Sequence, residues 1–403
     1  MPLDTGDTSF MLVATALVMI MTPGLAFFYG GLVSRKNVLA IMMQSYVSMG
    51  VSTILWVAVG YSLCFSGDVG GMGIIGNLDM AFLRGIEVTD LGGLNDTIPL
   101  LLFVVYQMMF AIITPALITG AFANRITFKA YLIFLVAWQI LVYYPFVHMI
   151  WGGGMLAEWG VLDFAGGIVV HALAGMAALA SVIYVGKRRV EDTGAHNVPF
   201  VAIGAALLWF GWFGFNAGSE LAVDEVTAVA FINTQIAAAF AAITWLLLAW
   251  LYDGKPSFVE MLIGMIAGLA TITPAAGFVS PQSAMLIGVA AGAVCYFAVV
   301  FRKKKGLDDA LDVWGVHGVG GALGIVMLGV LASESIGGQN GLYHGNQDFF
   351  MVQLAGLALA CVWAFAFTYG MLMMIDMITP VRVTDEAEAA LDVTLHGESA
   401  YTD

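Results

Sequence analysis

The chain has 403 residues, of which 61% are hydrophobic and only 10% are charged, and its formal net charge is −14. This composition excludes a soluble globular protein and indicates a polytopic membrane protein. The three cysteines, Cys64, Cys295 and Cys361, all lie in apolar runs. An odd number of cysteines in such positions is typical of packing residues and argues against disulfides or a metal cluster.

Charge-free runs along the chain are each long enough to cross a bilayer core of about 30 Å, which needs roughly 20 helical residues. One run, Met261–Phe301, is too long for a single crossing, and we divide it in two at Pro274 and Pro281. The sequence therefore predicts eleven transmembrane helices. The other runs are Phe10–Val33, Val38–Gly67, Thr97–Asn124, Ala130–Val147, Phe164–Gly186, Val198–Ser219, Val226–Tyr252, Val313–Ala332 and Phe349–Ile375.

The positive charges predict the orientation of these helices, because cytoplasmic loops collect Lys and Arg. Of the 14 Lys and Arg residues, only Arg84 falls on the other side of the predicted bundle. The N-terminus is therefore expected outside and the C-terminus inside the cell, in the inner (plasma) membrane. The segment before Phe10 is acidic and lacks the features of a signal peptide, so we expect the first run to remain as a helix.

Two segments of the chain share one pattern, in which an Asp is followed eight residues later by a His and four residues after that by a Gly. These residues are Asp163, His171 and Gly175 in DFAGGIVVHALAG, and Asp309, His317 and Gly321 in DALDVWGVHGVGG. Eight residues are a little over two helical turns, so the three residues share one side of a helix. The glycine then lets a partner helix approach the histidine closely.

In the predicted topology the two segments run through the membrane in opposite directions, which is typical of an inverted repeat. The halves are residues 8–190 and 198–332, followed by a last helix at 349–377. We assign residues 1–377 to a transmembrane domain and residues 378–403 to a cytoplasmic tail. The tail is polar, mostly acidic and at best partly ordered, and it offers a place for a soluble partner.

The two histidines fall near the bilayer midplane, given a rise of 1.5 Å per residue. A histidine at that depth can simply form an interhelical hydrogen bond that fixes packing. However, ionisable groups inside membranes usually mark a pathway, since a charged residue there costs about 2.5–3.5 kcal/mol even on permissive scales. Two of them at pseudo-symmetric positions favour a functional role. Asp163 and Asp309 are well placed as helix N-caps, and Asp163 would also create a field at the pore mouth.

Aromatic side chains cluster near the outer ends of the predicted helices, in the stretches YQMMF, HMIWGGG and GWFGFNAGS. Considered singly, such residues more often pack between helices or form an interfacial belt. Trp151 is different because it lies beside three glycines, and Phe215 and Ser219 are one helical turn apart. Aromatic faces attract a small cation by about 0.5–2 kcal/mol, and a hydroxyl accepts one of its protons. The pattern therefore predicts an outer cup that binds a cation.

The chain resembles the Amt/MEP/Rh ammonium transporters, and within them the bacterial and archaeal Amt branch. The resemblance covers nearly the whole chain and is carried by the motifs PGLAFFYGGLVSR, HMIWGGGMLAEWGVLDFAGGIVVH, GWFGFNAGS, FINT, DVWGVHGVGG and LDVTLHGESAY. It implies eleven transmembrane helices in two inverted halves, a homotrimer with one pore per subunit, and a PII-family signalling protein as a partner at the cytoplasmic face.

The same resemblance implies a recruitment site for ammonium, a gate of stacked phenyl rings, a pair of pore histidines and two supporting residues. In that order these are Tyr106, Trp151 and Ser219; Phe110 and Phe215; His171 and His317; and Asp163 and Trp212. Many members have Phe where this chain has Tyr106. The phenol keeps the aromatic face and adds a hydrogen-bond donor and acceptor.

An apolar pore passes ammonia far more readily than ammonium, because an unpaired ion in a low dielectric costs tens of kcal/mol in the idealised limit. We therefore expect ammonium to lose its proton near the gate and to cross as ammonia, with or without the proton following. An alternative is an ammonium sensor that signals through a soluble partner. A third reading, a membrane enzyme with a metal held by His171, His317 and Asp163, lacks the usual ligand spacing. We expect no cofactor, no metal and no nucleic-acid partner.

Overall fold

The computed structural model describes residues 2–190 and 194–401, and within these ranges the chain forms helices and loops without a β-strand. Ten helices are long and apolar enough to cross a membrane, and one further apolar helix is shorter. The chain is therefore a multi-pass, all-α membrane protein. In order the helices are α1 (Thr5–Leu32), α2 (Val38–Phe65), α3 (Leu100–Ile118), α4 (Phe128–Glu158), α5 (Gly167–Val185), α6 (Val198–Glu220), α7 (Glu225–Asp253), α8 (Phe258–Ile272), α9 (Pro281–Lys305), α10 (Trp314–Leu331) and α11 (Gln347–Asp376).

Helix α8 differs in length from the other ten. The long run Met261–Phe301 is divided where the sequence predicts, since Pro274 follows α8 and Pro281 begins α9. The helical part of α8 has 15 residues, which at 1.5 Å per residue cover about 22 Å. All eleven predicted elements are present, but α8 alone is too short for a full crossing as a regular helix.

Helices α5 and α10 each begin with a wide π-helical turn. Residues Gly167–Ala172 form this turn in α5 and contain His171, and residues Trp314–Gly318 form it in α10 and contain His317. A π-helical turn has i→i+5 hydrogen bonds and is found frequently at functional sites. The two histidines therefore lie at equivalent places in the two halves of the inverted repeat.

The two halves of the repeat pack through equivalent helices. Helix α1 lies along α6, and α5 meets α10 at the histidines. A Cβ atom on Gly175 would overlap the backbone of Gly318, and one on Gly321 would lie 2.8 Å from the Cβ of His171. Small residues allow such close approach between transmembrane helices. The glycine four residues after each histidine brings the two helices together, as the sequence predicts.

The chain after α11 folds back against the end of the bundle where α1 ends and α2 begins, and we call this end the tail face. The returning chain contains two short helices, α12 (Asp385–Glu388) and α13 (Leu391–His396). Asp392 Oδ1 accepts a hydrogen bond from Ala40 N at 2.9 Å, and Leu391 N donates to Asn37 Oδ1 at 2.9 Å. The tail is thus more ordered than its composition predicts. Residues 402–403 lie outside the described residues.

Ion pairs join the loops of the tail face. Asp308 accepts a hydrogen bond from the Arg188 guanidinium at 2.7 Å, and the Arg125 guanidinium lies 3.6 Å from the same carboxylate. Burial alone would raise the pKa of Asp308, but the hydrogen bonds from Arg188 and the charge of Arg125 lower this pKa to about 2. Asp309 behaves in the opposite way, because burial and then the charge of Asp312 raise its pKa to about 6. The basic residues that the sequence assigns to one side therefore hold this face together.

Candidate functional site

A cavity of about 400 Å³ opens at the end of the bundle opposite the tail face, and we call it the mouth cavity. Its lining includes the aromatic rings of Phe110 and Trp151, the hydroxyl of Ser219 and the carboxyl groups of Asp163 and Glu220. Helices α3, α4 and α6 supply most of these groups, and the loop before α5 supplies the Asp. Such a cavity has room for a small hydrated cation and surrounds it with π faces and oxygen atoms.

Two phenyl rings in contact, tilted against each other and not stacked in parallel as the resemblance implies, close the floor of the mouth cavity. The ring centroids of Phe110 and Phe215 lie 4.4 Å apart with an interplanar angle of 34°, and Trp151 meets Phe110 edge-on at 5.9 Å. Phe110 lines the mouth cavity, whereas Phe215 lines a second, smaller cavity below it. The phenyl pair therefore separates the two cavities.

Tyr106 lies behind the wall of the mouth cavity. Its side chain is fully buried, and its hydroxyl donates to the backbone oxygen of Gly214 at 2.9 Å. The same hydroxyl lies 3.3 Å from Ser219 Oγ, and the Tyr106 ring packs against Phe110 at 5.2 Å. The structure thus brings all three predicted recruitment residues together but exposes only Trp151 and Ser219 to the cavity. The added hydroxyl of Tyr106 ties α3 to the end of α6.

The second cavity, which we call the inner chamber, contains the two predicted pore histidines. His171 and His317 are almost fully buried, at 1% and 4% exposed, and their Nδ1 atoms lie 3.2 Å apart. The remaining lining is mostly apolar and aromatic and includes Trp212 and Phe215. Its free volume is about 10 Å³, which is at the lower limit for a single water molecule. A hydrated ion does not fit there without losing its water.

The contact between the two Nδ1 atoms restricts how protons are distributed over the rings. A hydrogen bond between two imidazole nitrogens needs a proton on one of them and a lone pair on the other. In the neutral pair, the ring that donates from Nδ1 has a bare Nε2, and the ring that accepts at Nδ1 has its proton on Nε2. The Nε2 of His171 has no hydrogen-bond partner within the described part of the chain. The pair thus offers a small molecule one donor and one acceptor.

Trp212 and Phe215 pack against His171 from α6. The His171 ring stacks on Trp212 with 5.5 Å between centroids and on Phe215 with 6.0 Å. The indole Nε1 of Trp212 donates to Thr273 Oγ1 at 3.0 Å, which links α6 to the turn after α8. The predicted supporting role of Trp212 thus corresponds to a ring that orients His171 and lines the inner chamber.

Asp163 caps the π-helical turn that carries His171. Its two carboxylate oxygens accept four backbone N–H groups at 2.6–3.1 Å, from Gly166, Gly167, Ile168 and Val169. Its backbone oxygen accepts the indole N–H of Trp151 at 2.8 Å. Burial raises the pKa of Asp163, and the four N–H groups oppose that rise. Asp163 therefore fixes both the aromatic wall and the start of α5, whereas Asp309 caps α10 through one oxygen, which accepts Trp314 N at 2.7 Å.

Two further residues near the site were not assigned a role from the sequence. Glu220 lines the mouth cavity directly after Ser219, and its position at the end of an apolar run next to a predicted site residue was the available signal. His148 is buried with its Nδ1 atom 3.0 Å from the backbone oxygen of Cys64. Its Nε2 atom lies 3.5 Å from Asp68, so His148 links α4 to the loop after α2.

Residues 9–401 match the Ammonium Transporter Family. The chain is similar to the "Ammonium transporter" of Bacillus subtilis, with 46% identity over 406 residues and full coverage of both chains. It is also similar to "Ammonium transporter Amt1" of Archaeoglobus fulgidus, with 43% identity over 404 residues, 99% of this chain and 100% of the relative.

Solved structures resemble the fold over nearly its whole length. The structure of Saccharomyces cerevisiae Mep2 gives a TM-score of 0.88 at 33% identity and covers 95% of this chain and 88% of that one. A structure titled "Sensor Amt Protein" gives a TM-score of 0.89 at 29% identity and covers 97% and 98%. The likeness in sequence and the likeness in fold therefore extend over the same helices that carry the two cavities.

Proposed function

Because the chain belongs to the ammonium transporter family, we propose that it recruits ammonium in the mouth cavity, removes its proton at the phenyl pair and passes ammonia along the two histidines. The chain is an ammonium transporter and not an enzyme. One observation carries the proposal: the Phe110–Phe215 pair divides an open, polar cavity from a narrow, mostly apolar chamber that contains two imidazoles.

Recruitment rests on the chemistry of the mouth cavity. The faces of Trp151 and Phe110 attract a cation, and Ser219 Oγ offers a lone pair, since its own proton is donated to the Phe215 backbone oxygen at 2.9 Å. Tyr106 supports this wall from behind through its contacts with Phe110 and Ser219. We propose that Phe110, Trp151 and Ser219 bind ammonium, held in place by Tyr106, before its proton is removed.

Crossing rests on the small volume and the apolar lining of the inner chamber. Moving an unpaired ion into such surroundings costs far more than moving a small neutral amine, which loses only the hydrogen bonds that it cannot replace. The free Nε2 atoms of His171 and His317 replace part of those bonds, with one nitrogen accepting and the other donating. Sodium and potassium have no proton to lose, so they are excluded without a size filter.

The test compares purified variants in proteoliposomes, with measurement of ammonium-induced flux and of electrical current. We expect the wild type to move ammonium and to exclude potassium. The double variant His171→Ala, His317→Ala should lose at least tenfold of the flux or lose the exclusion of potassium. His344→Ala serves as the matched control, because this histidine lies exposed in a loop. Unchanged flux and unchanged selectivity in the double variant would refute the role of the histidines.

A second candidate is an ammonium sensor, and one solved structure with a similar fold has "Sensor Amt Protein" as its title. The relatives with 41–46% identity include proteins named as ammonium transporters, which favours transport. A protein that binds ammonium in liposomes but moves none would favour the sensor. The presence of current in the same experiment separates net ammonium transport from an electroneutral ammonia channel.

We further propose that the chain lies in the inner (plasma) membrane with the tail face in the cytoplasm. The Lys and Arg residues of that face support this orientation. We also propose that residues 1–377 form the transmembrane domain of a homotrimer. The tail, residues 378–403, and the neighbouring loops would then bind a PII-family protein. Cysteine labelling from each side of the membrane, native mass spectrometry and a pull-down with purified PII protein test these three statements.

A further inference from the structure

We propose that Glu220 is a specificity-determining residue of the recruitment site, whose carboxylate attracts the ammonium cation into the mouth cavity and holds it beside Ser219. The inference rests on the proposed function of that cavity and adds to it a charged group. It concerns the entry of the cation and not the later steps, which take place beyond the phenyl pair.

Hydrogen bonds and close packing hold the backbone on both sides of Glu220. The last turn of α6, Gly218–Glu220, is a 3₁₀ turn, and it ends where Leu221 adopts a left-handed conformation with φ of 62°. Leu221 N donates to Gly218 O at 3.0 Å, and Asn95 Nδ2 donates to Leu221 O at 2.9 Å. On the other side, Tyr106 leaves no room for a side chain at position 218. The half-buried Glu220 is therefore held in the wall of the cavity next to Ser219.

The carboxylate of Glu220 is not used by the protein itself. Within residues 2–190 and 194–401, it has no ion pair or hydrogen bond, and the charged group that interacts with it is the like-charged Asp224. The other carboxylate of the cavity belongs to Asp163, and both of its oxygens accept hydrogen bonds from backbone N–H groups. Glu220 is thus the carboxylate of the mouth cavity whose oxygens remain free for a ligand.

The surrounding loops reinforce a negative field at this end of the bundle. The loop between α2 and α3 contains Asp68, Asp79, Glu87, Asp90 and Asp96 against the single Arg84. The side chain of Arg84 lies against Phe82 and bonds to the backbone oxygen of Ala81 at 3.1 Å. A cleft lined by one sign of charge concentrates counter-ions. A carboxylate inside the cavity then favours the ammonium cation over neutral ammonia. Aromatic rings alone distinguish these two species only weakly.

The experiment measures flux or current against ammonium concentration in proteoliposomes for the wild type, Glu220→Gln, Glu220→Asp and Glu87→Gln. Glu87 is exposed in the loop between α2 and α3 and lies outside the cavity, so Glu87→Gln removes the same charge from the same face. We expect Glu220→Gln to raise the half-saturation concentration by about three- to tenfold with the maximal rate preserved. Glu220→Asp and Glu87→Gln should stay within about twofold of the wild type.

Ionic strength distinguishes an electrostatic role from a structural one. Sodium chloride at about 0.5 M screens the field of Glu220, so the difference between the wild type and Glu220→Gln should shrink there. The inference is overturned if Glu220→Gln keeps the half-saturation concentration of the wild type, or if the variant lowers only the maximal rate. It is likewise overturned if the difference does not change with salt. An absence of flux in the wild type itself would instead refute the proposed transport function.

Discussion

The close contact between α5 and α10 predicts that Gly321→Ala disrupts the histidine pair. A Cβ atom at position 321 would lie 2.7 Å from the backbone oxygen of Gly167, 2.8 Å from Ala172 N and 2.8 Å from His171 Cβ. All three atoms belong to the π-helical turn that carries His171. Two of them are backbone atoms, so a rotamer change cannot relieve the overlap and the turn must move.

The size of that movement follows from the distances. Ordinary van der Waals contact begins at 3.4 Å, so the backbone oxygen of Gly167 must retreat by about 0.7 Å. The Nδ1 atoms of His171 and His317 are 3.2 Å apart, and a hydrogen bond is lost beyond about 3.5 Å. A displacement of 0.7 Å along that direction exceeds the margin. Overpacking of this kind also costs about 1–3 kcal/mol of stability.

The assay combines flux measurement in proteoliposomes with the melting temperature in detergent. We expect Gly321→Ala to remain folded and to keep the oligomeric state of the wild type. Its ammonium flux should fall about tenfold below that of the wild type. Gly370→Ala is the control, because this glycine lies in α11 with open space where the Cβ would be. If Gly321→Ala conducts as well as Gly370→Ala, then the 3.2 Å contact does not matter for transport and the reasoning fails.

Three further changes test individual contacts. Asp163→Asn should lower the melting temperature by removing acceptors of buried N–H groups, at a cost of about 2 kcal/mol, and a melting temperature equal to that of the wild type would contradict the capping role. Asp308 has its pKa lowered to about 2 by Arg188 and Arg125, so the ion pair should stabilise the protein above about pH 4 and lose this effect toward pH 2. Between pH 4 and pH 2, the melting temperature of the wild type should therefore fall more steeply than that of Asp308→Asn. An equal fall in both proteins would contradict this role of the ion pair. Asp392→Ala should release the tail from α2 and expose the chain after α11 to trypsin, and an unchanged digestion rate would show that the tail is held by other contacts.

The membrane helices could be predicted from the sequence because the physics that determines them is local. A charge-free run of about 20 residues has few alternatives in a bilayer, and the rise per residue then gives the depth of His171 and His317. The repeated Asp–His–Gly spacing also predicted which glycines let the two helices approach. Each of these inferences needs only the order of residues along one helix.

The remaining features depend on contacts between distant segments. The π-helical turns at Gly167–Ala172 and Trp314–Gly318 are not visible in the apolar pattern, since apart from the histidines the residues of both turns are apolar or small, as they are in a regular helix. The burial of Tyr106 depends on carbonyl groups at the end of α6, more than 100 residues later. The order of the tail depends on Asn37 and Ala40, which lie more than 350 residues earlier. Sequence reasoning over single segments has no access to such pairs.

The histidine pair combines a symmetric origin with asymmetric surroundings. His171 and His317 come from equivalent helices of an inverted repeat, so the two possible positions of the shared Nδ1 proton are nearly equivalent by symmetry. The two rings can therefore exchange the roles of hydrogen-bond donor and acceptor. Only His171 stacks on Trp212 and Phe215. That ring therefore lies directly behind the phenyl pair, and in the proposed mechanism it meets the substrate first after deprotonation. Any difference between the two ends of the pore therefore arises from the surroundings of each histidine ring, since the two rings themselves are chemically equivalent.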